Sequence, residues 1–113
     1  RLPRQIPYAK CMEILLIGDP FSARDALDMG LVNYVVPREK LLDKAFELAA
    51  KLAANGPLAV RKIKEGVVRS SGRPLDEALQ IENEVSAAVL TSRDAREGPR
   101  AFAEKRRPRF TGE

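Results

Sequence analysis

The stretch Leu41-Leu42-Asp43-Lys44-Ala45-Phe46-Glu47-Leu48-Ala49-Ala50-Lys51-Leu52 decides the fold class. Leu41, Leu42, Ala45, Leu48, Ala49 and Leu52 recur with helical period, while Asp43, Lys44, Glu47 and Lys51 fall on the other side. The spacing predicts an amphipathic helix within residues 38–55, ended by Asn55-Gly56. Pro57 opens the next helix, because a first-turn proline has no intrahelical hydrogen bond to lose. That helix runs to about Arg69, with Leu58, Ala59, Ile63 and Val67 facing inward and Arg61, Lys62 and Lys64 outward. Ser70-Ser71-Gly72-Arg73 breaks the chain.

Pro74 then begins a long helix to about Leu90, with Leu75, Ala78, Leu79, Ile81, Val85, Ala88 and Val89 forming a broad apolar stripe. A last helix is read from Asp94 to about Arg106, where Pro99 is tolerable only near the first turn, which leaves that boundary loose by a few residues. The tail from Arg107 to Glu113 is expected to be loose.

Upstream, residues 7–17 are nearly all apolar except Lys10 and Glu13, predicting a helix buried over most of its circumference and stopped by Gly18. Ser22 can cap a short helix through Met29, with Asp25 in the acidic place of a capping box and Gly30 as the left-handed stop. Leu31 to Val36 is a short extended run whose β-branched content suits a strand, but such a run has no partner in this chain; it pairs elsewhere or not at all. The organisation is mainly α, with five or six helices and one short extended segment.

At 113 residues, with 44% apolar and 32% charged side chains, one globular domain is the default. Twenty Lys+Arg against sixteen Asp+Glu give a charge of +4, which favours anionic ligands without demanding nucleic acid or a membrane surface. The single cysteine, Cys11, cannot form an intramolecular disulfide and reads as a packed core thiol in a reducing cytoplasm or organelle matrix. The longest apolar stretch, Ile14 to Ile17, is far below the ~20 residues of a membrane span. Arg1-Leu2-Pro3-Arg4-Gln5-Ile6-Pro7 reads like the middle of a longer polypeptide.

The chain has no histidine, so imidazole bases, nucleophile–histidine pairs and histidine metal ligands are excluded. A lone cysteine offers no metal cluster, and the scattered glycines form no phosphate loop and read mainly as punctuation. The acids lie mostly beside lysines and arginines and read as solvated faces. Glu13 is the exception, since it falls inside an apolar helix and calls for a buried partner such as an arginine. Lys105-Arg106-Arg107-Pro108-Arg109 is the densest charge cluster, suited either to phosphate or to an ordinary tail. Phe102 is either an inward anchor or a ring placed for a ligand, and spacing alone favours the core.

Several segments together resemble the crotonase family of enoyl-CoA hydratases and isomerases, over almost the whole chain. Arg1-Leu2-Pro3-Arg4 is similar to the end of the family's glycine-rich stretch, and Met12-Glu13-Ile14-Leu15-Leu16-Ile17-Gly18 to the helix before its turn. Ala23-Arg24-Asp25-Ala26-Leu27-Asp28-Met29-Gly30-Leu31-Val32-Asn33-Tyr34-Val35-Val36-Pro37 matches the most recognisable signature. Asp94-Ala95-Arg96-Glu97-Gly98 with Ala101-Phe102-Ala103-Glu104-Lys105-Arg106 matches the C-terminal motif.

The resemblance implies that residues 1–113 are the helical C-terminal domain of a crotonase fold, serving oligomerisation and closure of the CoA site, with 1–18 as junction and first helix. It implies hydration of a trans-2-enoyl-CoA thioester, or another reaction of the family such as isomerisation. The backbone donors and glutamates that do this chemistry lie upstream of Arg1, in a ββα spiral domain absent from this sequence, so no catalytic residue is assigned. Phe102 and Lys105 are the residues expected to contact CoA: the ring faces adenine or an acyl chain, the ammonium a phosphate. The implied partners are the acyl-CoA substrate and further copies of the chain, as a trimer or dimer of trimers. No metal, tightly bound cofactor, nucleic acid or membrane is implied, and the expected location is the cytoplasm or an organelle matrix. A stand-alone helical oligomerisation module is the competing reading.

Overall fold

A computed structural model describes residues 1–113, which form two compact units, Arg1–Lys44 and Ala45–Glu113. The elements are six α-helices and two short 3-10 turns, with no strand.

The first unit holds α1 (Tyr8–Ile17), α2 (Ala23–Asp28) and the first turn of α3 (Leu41–Ala53). Gly18 ends α1 as expected, in the left-handed region at φ 79°, where a side chain would crowd the backbone. Cys11 is fully buried, as a core thiol should be, and Ile6 and Ala26 are the unit's other buried apolar residues. The rest of α1 departs from expectation. Tyr8, Leu15, Leu16 and Ile17 stand exposed, and Glu13 is paired on the helix surface with Lys10 at 2.9 Å instead of meeting a buried arginine. A lysine one turn before the acid satisfies it locally, so no buried partner is needed.

α2 carries the predicted capping box: Ser22 Oγ accepts from the Asp25 amide at 3.1 Å and the Asp25 carboxylate accepts from the Ser22 amide at 2.9 Å. The Ser22 hydroxyl, which donates to the same carboxylate at 2.6 Å, and then the Ser22 amide hold the Asp25 carboxyl below its ordinary value. At the other end Gly30, at φ 78°, donates to the Leu27 carbonyl and Leu31 to that of Ala26, a Schellman close. The run from Leu31 to Val36 forms no ladder within residues 1–113, in line with the absence of a pairing partner among them. Lys44 lies 4.6 Å from the centre of the Tyr34 ring.

The second unit holds the remainder of α3, then α4 (Pro57–Ser70), α5 (Leu75–Leu90) and α6 (Arg93–Ala103). Pro57 starts α4 as predicted. α4 and α5 are antiparallel neighbours. Gly66 sits in the middle of α4 against Val85, where an added Cβ would stand 3.0 Å from a valine methyl, so this glycine permits close approach of two helices and is not punctuation. Arg69 clamps the pair, giving two bonds to Glu84 at 3.0 and 2.7 Å and one to Glu65 at 2.9 Å. Ile63 and Val67, expected to face inward, are exposed and line an open groove with Leu75 and Leu79.

Candidate functional site

The C-terminal helix and its tail carry the cluster of charge noted in the sequence, and their construction is local. Ser92 caps α6 by accepting from the Ala95 amide at 3.1 Å. The amide of Arg93 donates to the Glu113 carbonyl at 2.7 Å, so the free donors of the first turn are met from both sides. Pro99 lies well inside the helix without breaking it, contrary to the expectation that it must sit in the first turn. Gly98 precedes it, and the steric conflict that proline normally imposes on the preceding Cβ is absent.

The tail is not loose. Asp94, buried, accepts from the amides of Thr111 and Gly112 at 2.8 Å each. Glu97, also buried, accepts from the Arg109 amide at 2.8 Å, from Arg100 at 2.8 Å, and from two nitrogens of Arg106 at 2.6 and 3.0 Å. The Arg106 guanidinium, then the Arg109 amide and Arg100, draw the Glu97 carboxyl down to about 2. Both acids read from sequence as parts of a solvated face; both hold the tail instead. Phe110 packs against the two glycines at 56 and 98, where hydrogen is the only side chain in the way.

The helix ends in a second Schellman close, in which Lys105 donates to the Phe102 carbonyl at 3.1 Å and Arg106 to that of Ala101 at 3.0 Å. Here the left-handed position is occupied by Lys105, at φ 51°, the one non-glycine residue of the chain with positive φ. Such a conformation costs a lysine about 1–2 kcal/mol. Strained backbone of this kind gathers at sites of function.

Phe102 and Lys105, the two binding residues expected from the resemblance, are thus joined by a backbone bond at one helix end, and both are exposed. With 87% of its surface in solvent, Phe102 is not the inward anchor its spacing suggested. Within the basic run, Arg106 is committed to Glu97 and Glu104. The acids at 94 and 97 and the ring at 110 were missed in the sequence. Two acids three residues apart, ahead of an arginine run with glycines nearby, were the available signal.

The family model for enoyl-CoA hydratase/isomerase matches residues 1–113. Enoyl-CoA hydratase EchA19 of Mycobacterium tuberculosis (strain ATCC 25618 / H37Rv) is 47% identical over 110 residues, covering 97% of this chain and 41% of the relative. Carnitinyl-CoA dehydratase of Salmonella agona (strain SL483) is 42% identical over 116 residues, covering 99% of this chain and 44% of that protein. Among solved structures, an enoyl-CoA hydratase from Mycobacterium tuberculosis H37Rv superposes with a TM-score of 0.94 at 46% identity, over 100% of this chain and 45% of that one. One from Bacillus anthracis gives 0.95 at 41% identity, over 99% and 43%. The chain therefore spans less than half the length of these relatives. With every helix of the fold matched and the family pattern running from the first residue to the last, the chain belongs to the enoyl-CoA hydratase/isomerase family, within the C-terminal portion of the family domain.

Proposed function

We propose that the whole protein adds water to a trans-2-enoyl-CoA thioester, and that this chain supplies its helical C-terminal region, in which Phe102 and Lys105 meet the CoA nucleotide. The observation that carries the reading is the end of α6. An exposed ring and an exposed ammonium are held at a strained turn by a buried carboxylate, as a preformed grip on an aromatic, anionic group would be. Relatives named as hydratase and as dehydratase of CoA esters support water addition or removal over other reactions of the family, with enoyl-CoA isomerisation as the second reading.

The groups that polarise the thioester and move protons belong, in this reading, to sequence outside these 113 residues, so the chain alone is inactive. CoA enters as part of the substrate and no tightly bound cofactor is required. Exposed apolar residues such as Leu16, Phe46 and Leu75 fit burial against further copies of the protein, as a trimer or dimer of trimers. No helix is long and apolar enough to cross a membrane, in keeping with a cytoplasmic or matrix enzyme.

The test is hydration of a short trans-2-enoyl-CoA, run beside isomerisation of the trans-3 isomer, with the whole protein and with the 113-residue chain. Hydration by the whole protein and none by the chain is the expected result. Turnover by the chain alone overturns the upstream placement of the chemistry; isomerisation without hydration selects the second reading.

A further inference from the structure

We infer that Glu97 is a positioning residue for Lys105, setting where its ammonium stands through a clamp on the two chain segments that follow it. The inference rests on the proposal that Lys105 meets the CoA nucleotide. Lys105 is the pivot between α6 and the tail, and its left-handed backbone is not one that lysine adopts unaided. Nothing in the side chain of Lys105 holds that turn. Beside the two backbone bonds of the Schellman close, the side-chain hold comes one residue later and four residues later: Arg106, whose two nitrogens meet Glu97 at 2.6 and 3.0 Å, and Arg109, whose amide meets the same carboxylate at 2.8 Å.

Glu97 is itself fixed. It is buried on α6, two turns before the pivot, and Arg100 takes its second oxygen at 2.8 Å. Planar, bidentate pairing of Arg106 fixes direction as well as distance, which a lysine or a single bond would not. Asp94 offers a built-in control, because its hydrogen bonds go to Thr111 and Gly112 farther along the tail and not to residues 105–109. A residue that only tethered the tail would act like Asp94. A residue that aims Lys105 must act through it.

The experiment uses the whole protein and its kinetics on one acyl group carried either by CoA or by pantetheine, which lacks the nucleotide. Glu97→Gln is expected to raise KM for the CoA ester about tenfold, the worth of one charge-assisted contact, with a smaller effect on kcat and little on the pantetheine ester. Lys105→Ala should show the same split, and the double variant should be no worse than Lys105→Ala, since Glu97 has nothing left to position. Asp94→Asn should leave the split unmoved. Should Glu97→Gln fail to fold, Arg106→Gln opens the clamp from its other side and reads the same quantity. A KM that rises equally for both esters, or a double variant that adds the two losses, overturns the positioning role. If Lys105→Ala raises KM and neither Glu97→Gln nor Arg106→Gln does, the clamp fails while the CoA reading stands. If Lys105→Ala changes nothing, both fail.

Discussion

Glu97 and Arg106, nine residues apart, meet through two bonds of 2.6 and 3.0 Å, so a carboxylate in the middle of α6 governs the chain after the helix has ended. The carboxylate is also depressed to about 2 from an ordinary 4.5, first by Arg106 and then by the Arg109 amide. A group whose folded pKa is lowered contributes stability that is fully present above its unfolded value and lost as pH falls through the folded one.

The melting temperature should therefore decline as pH is taken from about 4.5 to about 2, and Glu97→Gln should both lower it at neutral pH and flatten that decline. Glu65, Glu84 and Asp25 are lowered too, so part of the acid slope remains. Circular dichroism melts across pH check this, and equal slopes in the two proteins would count against it.

Gly30 and Lys105 occupy the same place in two Schellman closes, at φ 78° and 51°. Gly30→Ala should cost about 1 kcal/mol, the strain an L residue suffers there. Lys105→Gly should relieve similar strain, less the entropy a glycine adds to the unfolded chain, and so leave stability level or raise it by up to about 1 kcal/mol. Urea titration of both variants measures the difference, and a loss at Lys105→Gly would contradict it.

Gly66→Ala improves helix propensity by ~1 kcal/mol, yet it places a methyl 3.0 Å from a methyl of buried Val85. Valine is stiff about χ1 and cannot swing aside, so overpacking of about 1–3 kcal/mol prevails and the variant is destabilised. Combining it with Val85→Ala in a double-mutant cycle should show coupling between the two positions, and strict additivity would refute the contact.

Lys105→Glu in the whole protein should raise KM for an enoyl-CoA more than it lowers kcat, by tenfold or so if one phosphate contact is replaced by repulsion. An unchanged KM from initial-rate kinetics removes Lys105 from the site.

The 113-residue chain should associate in solution. Phe46, Leu75, Leu90 and Phe102 are all more than two-thirds exposed, and apolar surface on that scale seeks cover. Size-exclusion with light scattering reads the mass, and a clean monomer would argue against it.

What was legible in the sequence was whatever the local chain specifies by itself. The capping box at Ser22, the stops at Gly18 and Gly30, the proline start of α4 and the period of α3 all act within one or two turns, and each is found where it was read. The proposed binding pair Phe102 and Lys105 comes from family resemblance, and periodicity alone turns Phe102 inward, where the structure leaves it exposed. What could not be read is what joins distant positions. Asp94 holds amides seventeen and eighteen residues on, and a bond to backbone leaves no mark in residue type. Gly66 resembles any weak helical residue until Val85 is placed against it, and the burial of α1 was overestimated because a helix's composition does not say how much of it the same chain covers.

The tail's return to the start of α6 makes the helix and the ten residues after it topologically a ring closed by hydrogen bonds. Arg93 is bonded to Glu113, Asp94 to Thr111 and Gly112, and Glu97 to Arg109, so the strand of tail runs back along the helix it has just left. Isolated helices ordinarily unravel from their ends inward, one turn at a time. Here both ends are tied to the tail, so the amide protons of α6 should exchange together rather than from the ends inward.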